Sequence, residues 1–578
     1  MAFFRTQIRF IRSFTVVDLF VFVGVVLFLY AVIGIAQEWA APYHPVTTIE
    51  LSGWALFKYA IFSLVRVIAA YFLSLAFTFT YGYVAAKSRM AEPILIPLLD
   101  ILQSIPVLGF MPGVVLALVH LFPHSNLGLE LAAILMIFTG EGWNMVFSFY
   151  SSVKGVPVEL REMTALFRVR KWDLLRTVEI PYAMNGLLWN SMLSMAGGWF
   201  FLMTIESQTV GGNDFRLPGI GSYMAVAYEK NDVGAIVAGI AVMFTLIILV
   251  DRVLWAPLVA WSERYKYEVD VNRRAPRSLV LDLLKKSNLI EKAIEWNERV
   301  RNYLKKKLTS QRADEKRKQF HARERMISRT LVVLRYAFVL AGIAGVLWGS
   351  RSMYRLLAAT DAGTWLRFCR DVVFTFARVS IAVVLGSLWA IPVGIFIGTN
   401  RKWTTRLQPV VQVVASFPAP MLFPILAYVM AKAGLTFEIG SVILFLFASQ
   451  WYILFNVISG AATIPTQMLE LGKLYRVNGW HYWKSILLPA IFPSLVNGWI
   501  TAAGGAWNAS IVAEIVQQGN NVFLATGIGA AITQAANRGD FPALAGGILV
   551  MVTVVVLLNR FFWGSLYRLA ETRYRMEW

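Results

Sequence analysis

The feature that most limits the fold of this chain is a series of apolar runs that are almost free of charged side chains. Each run is about twenty residues long, which is enough to cross the hydrocarbon core of a membrane as a helix. Of the 578 residues, 57% are hydrophobic and 15% are charged, whereas a soluble domain carries about 25% charged residues. The sequence therefore predicts an all-α integral membrane protein.

Twelve such runs can be counted, six on each side of a charged central segment. The first six lie at 17–36, 59–83, 95–119, 129–150, 183–205 and 234–257. The second six lie at 330–348, 372–398, 408–431, 437–460, 487–511 and 543–565. A basic segment precedes the first run, which would also fit a signal peptide, although the run is long for that purpose. We predict about 12 transmembrane helices.

The formal net charge of +20 comes mainly from the central segment and from short loops beside the apolar runs. Residues 263–329 contain twenty Lys or Arg and ten Asp or Glu side chains. Basic residues collect on the cytoplasmic side of membrane spans, so this charge indicates topology and not nucleic acid binding. It places both termini, the central segment and 154–181 in the cytoplasm. With Cys369 as its single cysteine, the chain has no intramolecular disulfide, and its five histidines lack zinc-site spacing.

The two halves of the chain repeat each other in sequence. Three prolines of the first half recur 312 positions later: Pro97, Pro106 and Pro112 as Pro409, Pro418 and Pro424. Further along the separation is 308, and the pairs are Pro157/Pro465, Glu162/Glu470, Arg168/Arg476, Trp172/Trp480 and Pro181/Pro489. Six spans, an even number, separate equivalent points, so both halves have the same orientation in the membrane. We predict two tandem repeats, 1–262 and 330–578, joined by a charged cytoplasmic linker at 263–329.

The linker has apolar residues at roughly helical spacing among its charges, which predicts an amphipathic helix. These residues are Leu289, Ile290, Ala293, Ile294, Val300, Tyr303, Leu304 and Leu308. Such a helix fits two roles, and both stay open. It is either a spacer on the anionic inner leaflet or a docking surface for a cytoplasmic partner.

A charged pair of short helices is predicted between the fourth and fifth spans of each half. The first reads PVELREMTALFRVRKWDLLRTVEIP, at 157–181, and the second reads PTQMLELGKLYRVNGWHYWKSILLP, at 465–489. A proline at each end starts the first short helix and stops the second. An exposed helical element of this kind transmits force to the spans on both sides of it.

These two segments resemble the EAA loop of binding-protein-dependent ABC importer permeases, which have the type I, methionine-permease-like fold. The rest of each half is similar to the branch that imports nitrate, sulfonates, taurine and bicarbonate. The resemblance implies that each loop is a coupling helix that docks into an ATPase subunit. The residues it assigns to this contact are Glu162, Thr164, Arg168, Trp172, Glu470, Gly472, Arg476 and Trp480.

The loops depart from the family pattern in two ways. The family has alanines after its glutamate, where this chain has Met163 and Thr164 in one loop and Leu471 and Gly472 in the other. The second departure is shared by both halves. The family has a glycine where this chain has Arg168 and Arg476. Glycine tolerates a positive φ there, whereas arginine does so at a cost. Two explanations stay open: the turn is built differently, or the arginines contact acidic residues of the partner.

The sequence contains no Walker A pattern, so the chain has no ATP site of that kind. We expect no catalytic residue, cofactor or metal in this chain. The resemblance implies two copies of a cytoplasmic ATPase subunit, which bind ATP and Mg, and a periplasmic or lipid-anchored substrate-binding protein. It also implies a location in the bacterial inner membrane, among lipids and without nucleic acid.

Polar side chains within the predicted spans are functional candidates by default. Arg66 and Arg378 occupy matching positions in the two halves, and each either forms a structural ion pair within its half or takes part in a gate. The candidates for the pathway or gate are Glu141, Asn144, Trp199, Glu206, Gln450, Asn456, Trp507, Asn508 and Glu514. Glu141 would equally fit a carboxyl group hydrogen-bonded to neighbouring helices, and the two tryptophans would equally fit packing.

The function that accounts best for these features is that of an ABC importer permease, with both halves of the pathway in one chain. The resemblance favours a small anion as the solute. A secondary transporter driven by an ion gradient would explain the spans and the duplication, but not the two charged loops. A membrane scaffold without transport activity is a third possibility.

Overall fold

The computed structural model describes residues 48–210, 213–262, 347–519 and 521–574, with a few short stretches elsewhere. The predicted span 17–36 lies outside these residues, and so do nearly all of the span 330–348 and of the linker. The chain forms two compact units: one is Ile35–Arg274 with Thr360–Trp578, and the other is Met1–Gly34 with Ala275–Ala359. The larger unit contains the elements described below.

The first repeat consists of eight helices and a short hairpin. The helices are α1 (Gly53–Lys87), α2 (Glu92–Ser104), α3 (Val107–Leu121), α4 (Leu127–Lys154), α5 (Val158–Leu166), α6 (171–206), α7 (Ile220–Glu229) and α8 (Val233–Ser262). Strands β1 (Thr209–Val210) and β2 (Asn213–Asp214) pair antiparallel between α6 and α7.

The second repeat has the same elements in the same order. Its helices are α9 (Ala362–Thr399), α10 (Arg401–Ser416), α11 (Phe423–Lys432), α12 (Phe437–Ala462), α13 (Thr466–Leu474), α14 (Gly479–Ala513), α15 (Ile528–Arg538) and α16 (Phe541–Arg573). Strands β3 (Ile515–Gln518) and β4 (Asn521–Leu524) form its hairpin.

Seven helices of the described part are long and apolar enough to cross a membrane: α1, α4, α8, α9, α12, α14 and α16. The number becomes eight if α2 and α3 together count as one bent span. The predicted all-α membrane fold agrees with this architecture. The predicted number of about twelve spans is not confirmed.

The predicted spans 95–119 and 408–431 are each broken in the middle, which corrects their assignment as single helices. α2 and α3 meet at an angle of 94°. The residue before Pro106 is extended, with ψ of 123° at Ile105, and the residue before Pro418 is extended too, with ψ of 126° at Phe417. Proline lacks an N–H group and forces the preceding residue out of the helical region. Hydropathy is continuous across both breaks and therefore conceals them.

In each repeat the core is built on the fourth helix. α4 packs against α1 and α6, and α12 packs against α9 and α14 in the same way. Small residues allow close contact at these crossings. A Cβ atom at Gly394 of α9 would lie 2.6 Å from Val457 of α12, so only glycine fits there without rearrangement.

The two repeats contact each other within the larger unit. The amide of Val107, at the start of α3, donates a hydrogen bond of 2.7 Å to Asn508 Oδ1 of α14. Phe244 of α8 stacks on Phe417 with ring centroids 4.4 Å apart. The second repeat therefore caps the helix that follows the break in the first.

Candidate functional site

The loop helices α5 and α13 occupy equivalent positions, directly after α4 and α12. No residue of α5 is buried. The first turn of α5 begins after Pro157, which supplies no amide proton where none is needed. In each repeat the chain then turns sharply and enters the long helix α6 or α14 through one π-helical turn, at Leu175–Glu179 or Trp483–Leu487.

The sharp turns after α5 and α13 place Arg168 and Arg476 in the left-handed region, with φ of 48° and 51°. The amide of Arg168 donates to Ala165 O at 3.0 Å, and that of Val169 donates to Thr164 O at 3.0 Å. These two bonds form a Schellman motif, which usually has glycine at the left-handed position. The backbone at Arg168 and Arg476 therefore has the left-handed conformation that glycine normally adopts in this turn. The explanation that the turn has a different conformation in this chain is wrong.

The two loop helices, the turns after them and the first turns of α6 and α14 expose large apolar side chains at equivalent positions, 308 apart. The exposed pairs are Met163/Leu471, Leu166/Leu474, Phe167/Tyr475 and Trp172/Trp480. Leu166 is 81% exposed and Leu474 is 76% exposed, so neither packs against the rest of the chain. Glu162 and Glu470 are exposed beside them. A repeated apolar surface of this kind indicates a docking site for another protein.

The two remaining loop candidates, Thr164 and Gly472, occupy equivalent positions but make different contacts. Thr164 Oγ1 donates to Arg161 O at 2.8 Å. A Cβ atom at Gly472 would lie 2.7 Å from the Tyr482 ring, so glycine lets α13 lie close against the start of α14. α13 is therefore in direct contact with the start of α14.

At the other end of α6, Arg66 is the centre of a buried ion network. Its guanidinium donates two hydrogen bonds of 2.6 Å to Glu130 and one of 2.7 Å to Glu206 Oε1. Glu206 also accepts from Ser63 Oγ at 2.7 Å and from the Gly221 amide at 2.8 Å. The network joins α1, α4, α6 and α7.

The second repeat contains the same network around Arg378. Its guanidinium donates to Glu514 Oε1 at 3.0 Å and also to Glu438. Glu514 accepts from Thr375 Oγ1 at 2.7 Å and from the Gly529 amide at 2.9 Å. The difference lies in burial, since Glu130 is 1% exposed and Glu438 is 48% exposed.

Sequence reasoning overlooked Glu130 and Glu438, although they are separated by the same 308 positions as the other pairs. That separation was the signal that would have found them. Each lies in the first turn of α4 or α12, where a carboxylate also interacts favourably with the helix dipole.

A cavity of about 100 Å³ lies between the repeats, bounded by α2, α3, α4, α6, α12 and α14. Of the pathway candidates, Asn144 and Asn508 line it. Its other polar lining residues are Gln103, Thr139, Trp143, Tyr452 and Thr501. The structure thus brings one candidate from each repeat to a shared cavity whose lining carries no charged side chain among the described residues.

The other pathway candidates are not brought together there. Gln450 Oε1 accepts from Trp389 Nε1 at 3.0 Å, and Asn456 Nδ2 donates to Tyr452 O at 2.9 Å. Trp199 and Trp507 are buried in the core. Glu141 is fully buried and lies against Gly198 of α6. Within the described residues, no group of three or more His, Cys, Asp or Glu side chains is arranged to hold a metal ion.

Comparison with known proteins relates both repeats to transport systems. The family described as binding-protein-dependent transport system inner membrane component matches residues 79–254 and 390–576. The chain is 29% identical over 182 residues to the bicarbonate transport system permease protein CmpB of Synechococcus elongatus, covering 32% of this chain and 61% of that protein. It is 25% identical over 202 residues to the nitrate import permease protein NrtB of a Synechocystis strain, covering 35% and 68%.

A solved chain of the MetNI methionine ABC transporter in an inward-facing conformation is 19% identical, with a TM-score of 0.31, over 36% of this chain and 99% of that one. The match to CmpB spans less than two thirds of that relative's length. The two regions matched by the family together exceed half of this chain, and each covers most of one structural repeat. Membrane components of this kind are not enzymes. On this evidence the chain belongs to the family of inner membrane components of binding-protein-dependent transport systems, as a tandem repeat of its domain.

Proposed function

We propose that this chain is the permease of an ATP-driven importer and forms both halves of the pathway for a small anion. The observation that carries the proposal is the pair of loop helices, which expose matched apolar side chains in both repeats. An exposed apolar surface costs free energy in water unless a partner covers it. Two equivalent surfaces call for two copies of one partner, or for two similar partners.

The partner we propose is a cytoplasmic ATPase subunit, two copies of which bind ATP and Mg. α5 lies between α4 and α6 in the chain, so a displacement of α5 acts on both helices. In the first repeat Lys87 pairs with Glu179, which ties α1 to the π-helical turn near the start of α6. Closure of the ATPase dimer would thereby move α1, α4 and α6 together.

The hairpins β1–β2 and β3–β4 follow the other ends of α6 and α14. We propose that the substrate-binding protein docks at that end, outside the cytoplasm, and that both termini lie inside. This topology rests on the distribution of basic residues and fits the inner membrane of a bacterium.

The proposed substrate class rests on two observations. Relatives of this chain are named as bicarbonate and nitrate permeases. The cavity between the repeats has a volume of about 100 Å³, which is room for a few water-sized groups. Its lining offers N–H donors from Trp143 and Asn144, and neutral donors of this kind hydrogen-bond a small anion without trapping it in an ion pair.

Charge reversal on the loop helices tests the proposal. Glu162→Lys and Glu470→Lys, alone and together, are reconstituted in proteoliposomes with the ATPase and the substrate-binding protein. We expect ATP-dependent uptake of labelled bicarbonate or nitrate to fall in each single variant and to be lost in the double variant. Thermal stability should stay unchanged because both side chains are exposed.

Glu571→Lys serves as the control, because it reverses an exposed charge on α16 and not on a loop helix. Its uptake should equal that of the wild type. Undiminished uptake in the double loop variant would contradict the assignment of α5 and α13 as the coupling elements.

A further inference from the structure

Five buried polar residues of the first repeat form a cluster where α1, α4 and α6 pack together. They are Ser74, Thr78, Glu141, Ser191 and Ser194, and we refer to them as the Glu141 cluster. Each is at most 1% exposed. Within the described part of the chain, none of their side-chain oxygens, including both of Glu141, makes a hydrogen bond of regular geometry. Ser74 lies within reach of Glu141, and Ser191 lies within reach of the Tyr71 hydroxyl.

The facing sides of the three helices define the cluster. Ser74 and Thr78 are four residues apart on α1, and Ser74 lies beside the Glu141 carboxyl group. Ser191, Ser194 and Gly198 share one face of α6, by their spacing of three and four residues. A Cβ atom at Gly198 would lie 2.2 Å from Glu141 Oε1, so the Glu141 carboxyl group can pack against α6 only because residue 198 has no side chain.

Unpartnered hydroxyl groups are unusual in the helices of this protein. Serine and threonine in a membrane helix normally donate to a carbonyl one turn earlier. Ser387, Ser449 and Thr553 do so at 2.7 to 2.8 Å. The four hydroxyl groups around Glu141 make no such bond among the described residues. Their oxygens therefore stay available to a ligand.

The second repeat provides an internal comparison, because it lacks this cluster. The equivalent residues, at separations of 312 and 308, are Gly386, Ala390, Ser449, Trp499 and Ala502. Ser449 is bonded to its own helix, at Phe445 O. The repeat fold therefore does not require the polar residues, since the second copy packs the same crossing without them.

The groups that face Glu141 do not neutralise it. From α1 it is faced by Ser74, with Tyr71 nearby, and from α6 by Gly198, while Ser191 lies beside Tyr71. The ionisable residues of the other helices packed on α4 are Glu92 and Asp100 of α2 and His120 of α3. Glu92 pairs with Lys154 at the far end of α4. In the described residues Glu141 has no ion-pair partner.

An ionised carboxylate buried without a partner is strongly disfavoured, so the charge of Glu141 has to be neutralised. Carboxylate and hydroxyl oxygens are hard ligands, which select hard cations. With a single carboxylate in the cluster, one positive charge balances the site, whereas a divalent ion would leave a net charge in the membrane.

We propose that the Glu141 cluster binds one monovalent cation, Na⁺ or H⁺, with the Glu141 carboxylate as the anionic ligand. The hydroxyl groups of α1 and α6 supply the neutral ligands. Occupancy stabilises the packing of α1 and α6 on α4. Since α4 and α6 are the helices that flank the loop helix α5, the site lies on the elements that the proposed function sets in motion.

The test uses the purified full-length chain in lipid nanodiscs, without an ATPase, so that its result is independent of the proposed function. The melting temperature is followed by tryptophan fluorescence in sodium-free choline buffer, with added NaCl and with changing pH. If Na⁺ is the ligand, Tm rises by about 2 °C at a hundredfold above the Kd. If H⁺ is the ligand, Tm rises on acidification and the infrared spectrum contains the carbonyl stretch of a protonated carboxyl group.

Glu141→Gln removes the charge and keeps the shape, so it should abolish the response and, for H⁺, the infrared band. Ser449→Ala, at the equivalent position of the second repeat, should leave both unchanged. Equal responses to sodium and pH in the wild type and Glu141→Gln would overturn the proposal. If Glu141→Gln does not fold, Ser74→Ala has to shift the midpoint of the response, and an unshifted midpoint would overturn the proposal equally.

Discussion

At the residue scale, Arg168 and Arg476 combine a strained backbone with an exposed guanidinium group. The left-handed conformation costs a residue other than glycine or asparagine about 1–2 kcal/mol. Elsewhere the repeats avoid this cost, because the other left-handed pair consists of Asn231 and Gly539. Retention of arginine in both loops therefore favours a role for the side chain, and contact with acidic residues of the ATPase is the explanation that stays open.

Replacement of both arginines by glycine should separate strain from function. We expect Arg168→Gly and Arg476→Gly to raise the free energy of unfolding by about 1 kcal/mol per site, because the left-handed strain is relieved. Affinity for the ATPase should fall at the same time. Asn231→Gly is the matched control, since it changes a left-handed residue outside the loops. Unchanged affinity in the double variant would assign the arginines no role in docking.

The two ion networks should differ in what they contribute to stability. Glu130→Gln leaves the buried Arg66 short of one counter-charge, and removing one partner of a buried pair costs about 3–5 kcal/mol. Glu438→Gln should cost less, because Glu438 is about half exposed and water already screens it. Thermal melting of the two variants compares them directly. Equal losses of stability in the two variants would show that burial of the glutamate does not determine how much each ion network contributes.

At the scale of elements, the sequence predicted the order of the long helices and the two loop helices well. Hydropathy and the 312- and 308-residue separations were sufficient for this, because each helix has a counterpart. The breaks at Pro106 and Pro418 were missed, although both prolines had been noted, because apolar residues continue on either side. The cavity was only partly foreseen. Asn144 and Asn508 line it, but which face of a helix meets the other repeat depends on packing that composition does not report.

The loop helices should bind their partner through their apolar side chains. Replacing Leu166, Phe167, Leu474 and Tyr475 with serine should leave folding intact, because these residues are exposed. Each apolar side chain buried at an interface contributes about 1.5–3 kcal/mol, so the ATPase should bind at least about a hundredfold more weakly. Phe57→Ser, an exposed position at the other end of the repeat, is the control. Pull-down with the purified ATPase measures the effect, and full retention of binding would contradict it.

At the scale of the whole molecule, the repeats are alike where partners are expected and different inside the membrane. Each repeat contains one loop helix, one left-handed arginine and one buried ion network. The Glu141 cluster occurs in the first repeat, and its counterpart in the second is nearly apolar. A duplicated chain can diverge in this way because each half faces the other and not a copy of itself. One chain therefore contains two equivalent loop helices, whereas the polar residues buried between its membrane helices differ between the two repeats.

The measurement that tests the central claim most directly is the mass of the complex between this chain and its ATPase, determined by native mass spectrometry. If both halves of the pathway belong to one polypeptide, the complex contains one copy of this chain and two ATPase subunits, and it hydrolyses ATP. A complex with two copies of this chain for each ATPase dimer, or failure of the wild-type chain to bind an ATPase at all, would contradict the account.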